Sequence, residues 1–216
     1  MPSKYIVREF IEDGCYHVFN RGVEKRLVFL DSQDYNLFLY YLFVYAMSPD
    51  KIEKIYPKLP PRLLSKNLSS EVDLIAYCLM PNHFHFLITQ KSKHGVSKFM
   101  KQLINAYTAY FNKKYDRSGA LMQGRFKAAR VYNDEMLMHV SRYIHLNPLI
   151  ANLTKDPRKY MWSSAPYYLG ENSNIECNKE KVLFMFSSIK AYESFMLDQK
   201  DYAKELKRAE KILIDH

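Results

Sequence analysis

The sequence predicts an α+β fold in which an antiparallel sheet has helices packed on one side. Three observations lead there. Short aromatic and β-branched runs alternate with stretches of helical period, in the order β, α, β-hairpin, α, short β, α. The two central β runs are separated only by a turn, which makes them antiparallel neighbours. Hydrophobic residues at 48% and charged residues at 25% of 216 are ordinary globular values, enough for a sizeable core.

The run Cys15 to Asn20, closed by Arg21-Gly22, reads as a strand and turn. Asp31, Ser32 and Asp34 offer capping oxygens before a dense apolar helix, Leu37 to Met47. Ser48 to Ser70 holds four prolines among polar residues and reads as an irregular connection, an insertion or mobile segment. Val72 to Leu79 and His83 to Ile88 flank the turn signal Pro81-Asn82 and predict a hairpin. From Val96 to Phe111 the apolar positions keep helical spacing, with Lys98, Lys101, Gln102 and Asn105 opposite. Gln123 to Tyr132 reads as a loop and a short basic strand. Asp134 then caps a helix that Pro148 is predicted to stop at Leu146 or Asn147. This order describes a ferredoxin-like sandwich. Beyond Gly170, eight basic and nine acidic residues with helical patterns around Val182 and Ile189 read as a helical C-terminal extension. The predicted organisation is a domain over 1–170, with its insertion at about 48–70, and an extension over 171–216.

Cys15, Cys78 and Cys177 are odd in number and lack metal-site spacing, so neither a disulfide framework nor a thiolate zinc site is indicated. No run approaches the ~18 apolar residues of a spanning helix, and the start lacks a signal-peptide core, which predicts a cytoplasmic protein without a membrane partner. The net charge is +9, and its excess is local: fourteen basic and four acidic residues lie between Phe86 and Ala165, while the rest is nearly neutral. Such concentration suits a phosphate-backbone partner, and equally describes a solvated basic face.

His83 and His85 alternate with Phe84 and Phe86, so both imidazoles project from one strand face as a pair of nitrogen ligands for a divalent cation. His-x-His alone also fits two ordinary core histidines. Tyr143 and Asn147 are four apart on a helix, ~6 Å from one another, a reach that lets one attack phosphorus while the other helps hold a metal. Met136, Val140 and Tyr143 also read as an apolar stripe. Tyr107 and Tyr110 fall on the packed side of their helix. His17, His94, His139 and His145 have no partner spacing.

Tyr77-Cys78-Leu79-Met80-Pro81-Asn82-His83-Phe84-His85-Phe86-Leu87 and Tyr143-Ile144-His145-Leu146-Asn147-Pro148 together resemble the single-tyrosine HUH transposases, which act on single-stranded DNA. The branch associated with repetitive extragenic palindromes is the more similar one. Tyr16 to Gly22, Gln123 to Phe126, Trp162-Ser163-Ser164 and Tyr168-Leu169-Gly170 extend the resemblance over roughly residues 15 to 170. It implies a ferredoxin-like sheet, a nucleophilic Tyr143, and Mg²⁺ or Mn²⁺ held by His83, His85 and Asn147. The implied reaction is phosphodiester transfer through a 5′-phosphotyrosine at hairpin or palindromic DNA. No GxxxxGK[ST] motif occurs, in keeping with a reaction that needs no ATP. Lys98, Lys101, Arg125, Lys127, Arg130 and Arg142 are candidate DNA contacts, and Arg142 is also a candidate neighbour of the tyrosine. A non-catalytic hairpin-binding module derived from a transposase would share the fold and charge. The resemblance leaves open whether one chain or a homodimer completes the site.

Overall fold

The computed structural model describes residues 10–171 and 177–198; residues 1–9, 172–176 and 199–216, the last being part of the extension read from sequence, lie outside the described residues. Strands β1 (Cys15–Arg21), β2 (Val72–Met80), β3 (His83–Gln90) and β4 (Lys127–Val131) form one sheet in the order β2-β3-β1-β4, with every neighbouring pair antiparallel. That order is the ferredoxin-like arrangement. β1 runs between the two strands on which the candidate residues lie.

Helices α1 (Ser32–Ala46) and α4 (Gly95–Lys114) cover one face of the sheet. They pack Phe38, Leu42, Leu103 and Tyr107 against Tyr16, Val18, Phe84 and Phe86, the inward residues of the alternating strands. Asp31 caps α1 by accepting from the Asp34 amide. The two helices are joined by a polar pin. Lys114 reaches Asp31 at 2.7 Å and the buried Asp34 at 2.8 Å, while the hydroxyls of Tyr110 and Tyr115 donate to Asp34. Burial opposes the charge of Asp34, but the bonds from Lys114, the Leu30 amide and the two tyrosines outweigh it and hold this carboxyl below its usual range.

The stretch after α1, irregular by composition, contains two short helices, α2 (Pro49–Ile55) and α3 (Pro61–Leu64), each with a proline at its first turn, where the missing N–H costs nothing. Asn67 ties this stretch back by donating to the carbonyls of Val44 and Met47.

The opposite face is covered as well, by α5 (Asp134–Ile150), α6 (Ala165–Tyr168), α7 (Glu180–Leu183) and α8 (Ile189–Leu197). Ile144, Tyr168, Val182, Tyr192 and Met196 pack there against Ala76, Cys78 and Leu87. Helix α5 passes through Pro148 to Ile150 instead of stopping. Proline deletes one backbone bond so close to the end that the amides of Ala151, Asn152 and Leu153 still close the final turn onto Asn147, Leu149 and Pro148.

A buried hydrogen-bond chain fastens α5 from behind. His145 lies between the Tyr192 hydroxyl and Ser164 Oγ, at 2.7 Å from each, and Ser164 bonds both the amide and the carbonyl of Tyr77 on β2. Burial lowers His145 to about 3, so its imidazole is neutral.

Candidate active site

Strand register decides what meets at the centre of the second face. Phe19 on β1 opposes His85 on β3 and Lys127 on β4, while His17 opposes Leu87 and Ala129. With a side-chain period of two, His17, Phe19, His83, His85, Lys127 and Ala129 all share the face beneath α5. The β2–β3 turn that leads into His83 is clamped by the loop after β1. The Gly22 amide donates to Asn82, and the amides of Val28 and Phe29 donate to Pro81. Gly22 has to be glycine here, because a Cβ would lie 2.3 Å from the Arg26 carbonyl oxygen.

The two histidines read from sequence stand together, ring centroids 4.9 Å apart and nearly perpendicular. Tyr143 comes down from α5 with its ring edge-on to His85 at 5.4 Å and to His17 at 5.8 Å, packed on Phe19 and Ala129. Asn133, as N-cap, accepts from the Met136 amide and sets the start of that helix. Asn147 lies one turn beyond Tyr143, half-buried, and its amide nitrogen donates back to the Tyr143 carbonyl at 2.9 Å. The structure therefore places His85 between His83 and Tyr143, in contact with each, and Asn147 donates within its own helix, with Oδ1 as its remaining ligand atom.

Hydrogen bonds prepare the imidazoles for a cation. His83 Nδ1 is 2.6 Å from Asn82 Oδ1, an acceptor only, so Nδ1 carries the proton and Nε2 the lone pair. His85 Nδ1 pairs with His17 Nε2 at 2.9 Å, while His85 Nε2 is buried without a hydrogen-bond partner. An orphaned imidazole nitrogen is costly unless something binds it, and a divalent metal is one such partner. Burial lowers His85 well below the usual histidine range, with the charges of His83 and His17 adding to the effect, so it is neutral, as a ligand must be. Burial alone takes His17 to about 3. Among the described residues no group of three or more His, Cys, Asp or Glu side chains could hold a metal ion.

A cleft of about 120 Å³ opens beside His83, lined by Phe19, Asn20, Arg21, Gln123 and Lys127. Arg21 Nε donates to Gln123 at 2.6 Å, and Lys127 lies 5.9 Å from the Phe19 ring centroid. Two cations beside neutral imidazoles suit an anionic group such as a phosphodiester.

The other basic residues read from sequence divide between the two faces. Lys98 and Lys101 lie on α4, across the sheet from the histidines, and Lys98 is paired with Glu71 at 2.7 Å. Arg125 bonds Ser97 of the same helix at 3.3 Å. Arg130 alternates with Ala129 and so leaves the histidine face, where its guanidinium meets the Tyr132 ring. Arg142 is a correction. It is only 1% exposed, with its guanidinium over the Phe195 ring and donating to the Asp198 carbonyl, because the extension packs on that side of α5. A phosphate cannot reach it there. Tyr107 is buried and donates to the Val28 carbonyl, in keeping with its place on the packed stripe.

His17, Asn82, Arg21 and Gln123 were not singled out by sequence reasoning. Alternation in β1 does put His17 on the face of Phe19, but its partner is 68 positions away and is reached only through the β1–β3 register.

Residues 53–147 match the family model described as "Transposase IS200 like", a span that contains His83, His85, Tyr143 and Asn147 but not β1. No curated protein matches the chain in sequence. Among solved structures it is similar to one titled "Structure of the REP associates tyrosine transposase bound to a REP hairpin". The TM-score is 0.52 at 17% identity, covering 82% of this chain and 92% of that one. The likeness is one of fold. Among the described residues, no helix is long and apolar enough to cross a membrane.

Proposed function

We propose that this chain, an IS200-like transposase over the segment that holds both histidines and the tyrosine, is a metal-dependent single-stranded DNA endonuclease and strand transferase of cytoplasmic location. The observation that carries the reading is the meeting of a phenol with the buried, neutral imidazoles of His85 and His17, with His83 and a cationic cleft beside them. The solved protein of similar fold is bound to a REP hairpin, which supports hairpin or palindromic DNA as the substrate class.

In this reading Arg21 and Lys127 hold the phosphodiester against the histidine face. Tyr143 Oη attacks phosphorus, the bond from phosphorus to the 3′-oxygen breaks, and the proton lost by the phenol is balanced by protonation of the departing 3′-hydroxyl. The product is a 5′-phosphotyrosine, still a diester, so a later 3′-hydroxyl can attack it and rejoin strands without ATP. His83, His85 and Asn147 would hold Mg²⁺ or Mn²⁺, which supplies Lewis-acid stabilisation of charge on the phosphoryl oxygens when bound. Asn82 holds the His83 ring through Nδ1. His85 and Tyr143 touch within one chain, which supports a site built from a single copy. We further propose that residues 171–216 are an appendage to a 1–170 domain, and that its described residues, 177–198, brace α5.

The test is incubation with a hairpin-bearing single-stranded oligonucleotide and Mn²⁺, followed by a denaturing gel. A protein–DNA adduct is expected, lost in Tyr143→Phe and kept in Tyr107→Phe. Metal-independent binding with no adduct would instead identify a non-catalytic hairpin-binding module.

A further inference from the structure

We propose that His17 is a positioning residue: its Nε2 accepts the Nδ1 proton of His85 and thereby presents the His85 Nε2 lone pair to the cation. The proposal rests on the metal-dependent reading above and concerns a residue outside the segment that matches the transposase family.

The pair can exist in two arrangements. In one, His85 Nδ1 donates to His17 Nε2, leaving a bare lone pair on His85 Nε2 and a proton on His17 Nδ1. In the other, the donor and acceptor exchange and His85 Nε2 carries a proton, which no cation can replace without rearrangement. Both outer nitrogens, His17 Nδ1 and His85 Nε2, are buried without hydrogen-bond partners, so each arrangement strands one donor and one acceptor. Within the protein the two are closely matched. A cation at His85 Nε2 breaks the tie, because it turns a stranded acceptor into a ligand in one arrangement only.

The surroundings hold His17 to this task. It is fully buried, stacked on Phe19 at 5.1 Å and on His85 at 5.0 Å, so its ring cannot swing away. The two rings lie diagonally across the β1–β3 ladder, since Phe19 is the residue directly opposite His85. Asn82 does the same for His83 with its side-chain oxygen. Each candidate ligand then has one acceptor fixing its Nδ1 proton, one supplied by an amide and one by an imidazole.

The experiment measures Mn²⁺ affinity by EPR on the intact DNA-free protein, wild type against His17→Phe and His17→Gln. Phenylalanine keeps the ring and removes the acceptor; glutamine restores an acceptor oxygen near Nε2. Binding about 10 to 100-fold weaker in His17→Phe, restored to within about threefold by His17→Gln, is the expected result. Unchanged binding in His17→Phe, or equal loss in both variants with native circular dichroism, overturns it. As a measurement immune to folding defects, nitrogen-15 spectra of the wild-type protein with Mg²⁺ should find the His85 proton on Nδ1, coupled across the bond to His17; a proton on Nε2 would refute the proposal. Failure of the wild type itself to bind Mn²⁺ would strike the metal-dependent reading and, with it, this one.

Discussion

Acid should destabilise this protein well before its carboxylates begin to protonate. His17 and His145 are held by burial to about 3 in the folded chain, and His85 is lowered too, whereas an unfolded histidine titrates near 6.5. Below that value the unfolded chain binds more protons than the folded one, so stability present at neutral pH is lost as pH falls. The slope is about 1.4 kcal/mol per pH unit for each histidine. Between pH 7.5 and 5 each buried histidine then costs about 2 kcal/mol, or about 4 kcal/mol for His17 and His145 together. His85 adds to this, though not independently, because it shares a hydrogen bond with His17. Set against a typical total of about 5 to 15 kcal/mol, that is a large fraction. Asp34, held below its usual range, does not enter this window. Urea unfolding followed by circular dichroism at the two pH values, at fixed ionic strength, should give a difference of about 4 kcal/mol or more with a similar denaturant slope. In His145→Gln about 2 kcal/mol of that dependence should vanish, whatever the variant costs at pH 7.5. Equal stability at the two pH values, or a maximum near pH 5, would refute the placement of these rings as neutral and buried.

Removing the cation of the α1–α4 pin with Lys114→Met leaves the Asp34 carboxylate buried with only its tyrosine and amide donors. Stability should drop by about 1 to 3 kcal/mol, read as a Tm lower by roughly 3 to 10 °C; an unaltered melting temperature would show that Lys114 holds nothing. Lys127→Gln should weaken single-stranded DNA binding and reduce the salt dependence by about 0.7 in the log–log slope. Lys98→Gln should change little, since Glu71 already neutralises that charge; the reverse ranking would move the DNA path to the α4 face.

Elements with strong local signals were legible in the sequence. The alternation of His83-Phe84-His85-Phe86 and the turn at Pro81-Asn82 specify both the hairpin and the face on which the imidazoles lie, because period two leaves no other choice. Asp31 likewise marks the start of α1, whereas the cap of α5 lies one residue before the expected Asp134, at Asn133. Whatever depends on register or on distant packing was not legible. His17 reaches His85 only through strand pairing, and Arg142 looks like a surface cation until α8 is laid over it. Composition reads residues 48–70 as irregular because four prolines interrupt it, yet Pro49 and Pro61, at helix starts, are compatible with the helices they open. The six basic residues form one patch on paper but separate in space, since β4 alternates, α4 turns its polar side away from the histidines, and Arg142 is buried.

The chain from Tyr192 through His145 and Ser164 to Tyr77 has a consequence for how far the phenol sits from the imidazoles. His145 follows Tyr143 by two residues, a rotation of roughly 200° about the helix axis, so the fastening grips the side of α5 that faces away from the substrate. Any slide or roll of the helix toward the histidines stretches bonds at its back. In the proposed reaction the gap across which phosphorus is bridged is gauged by residues behind α5, and a change of Tyr192 should detune that reaction while every group in the cleft remains intact.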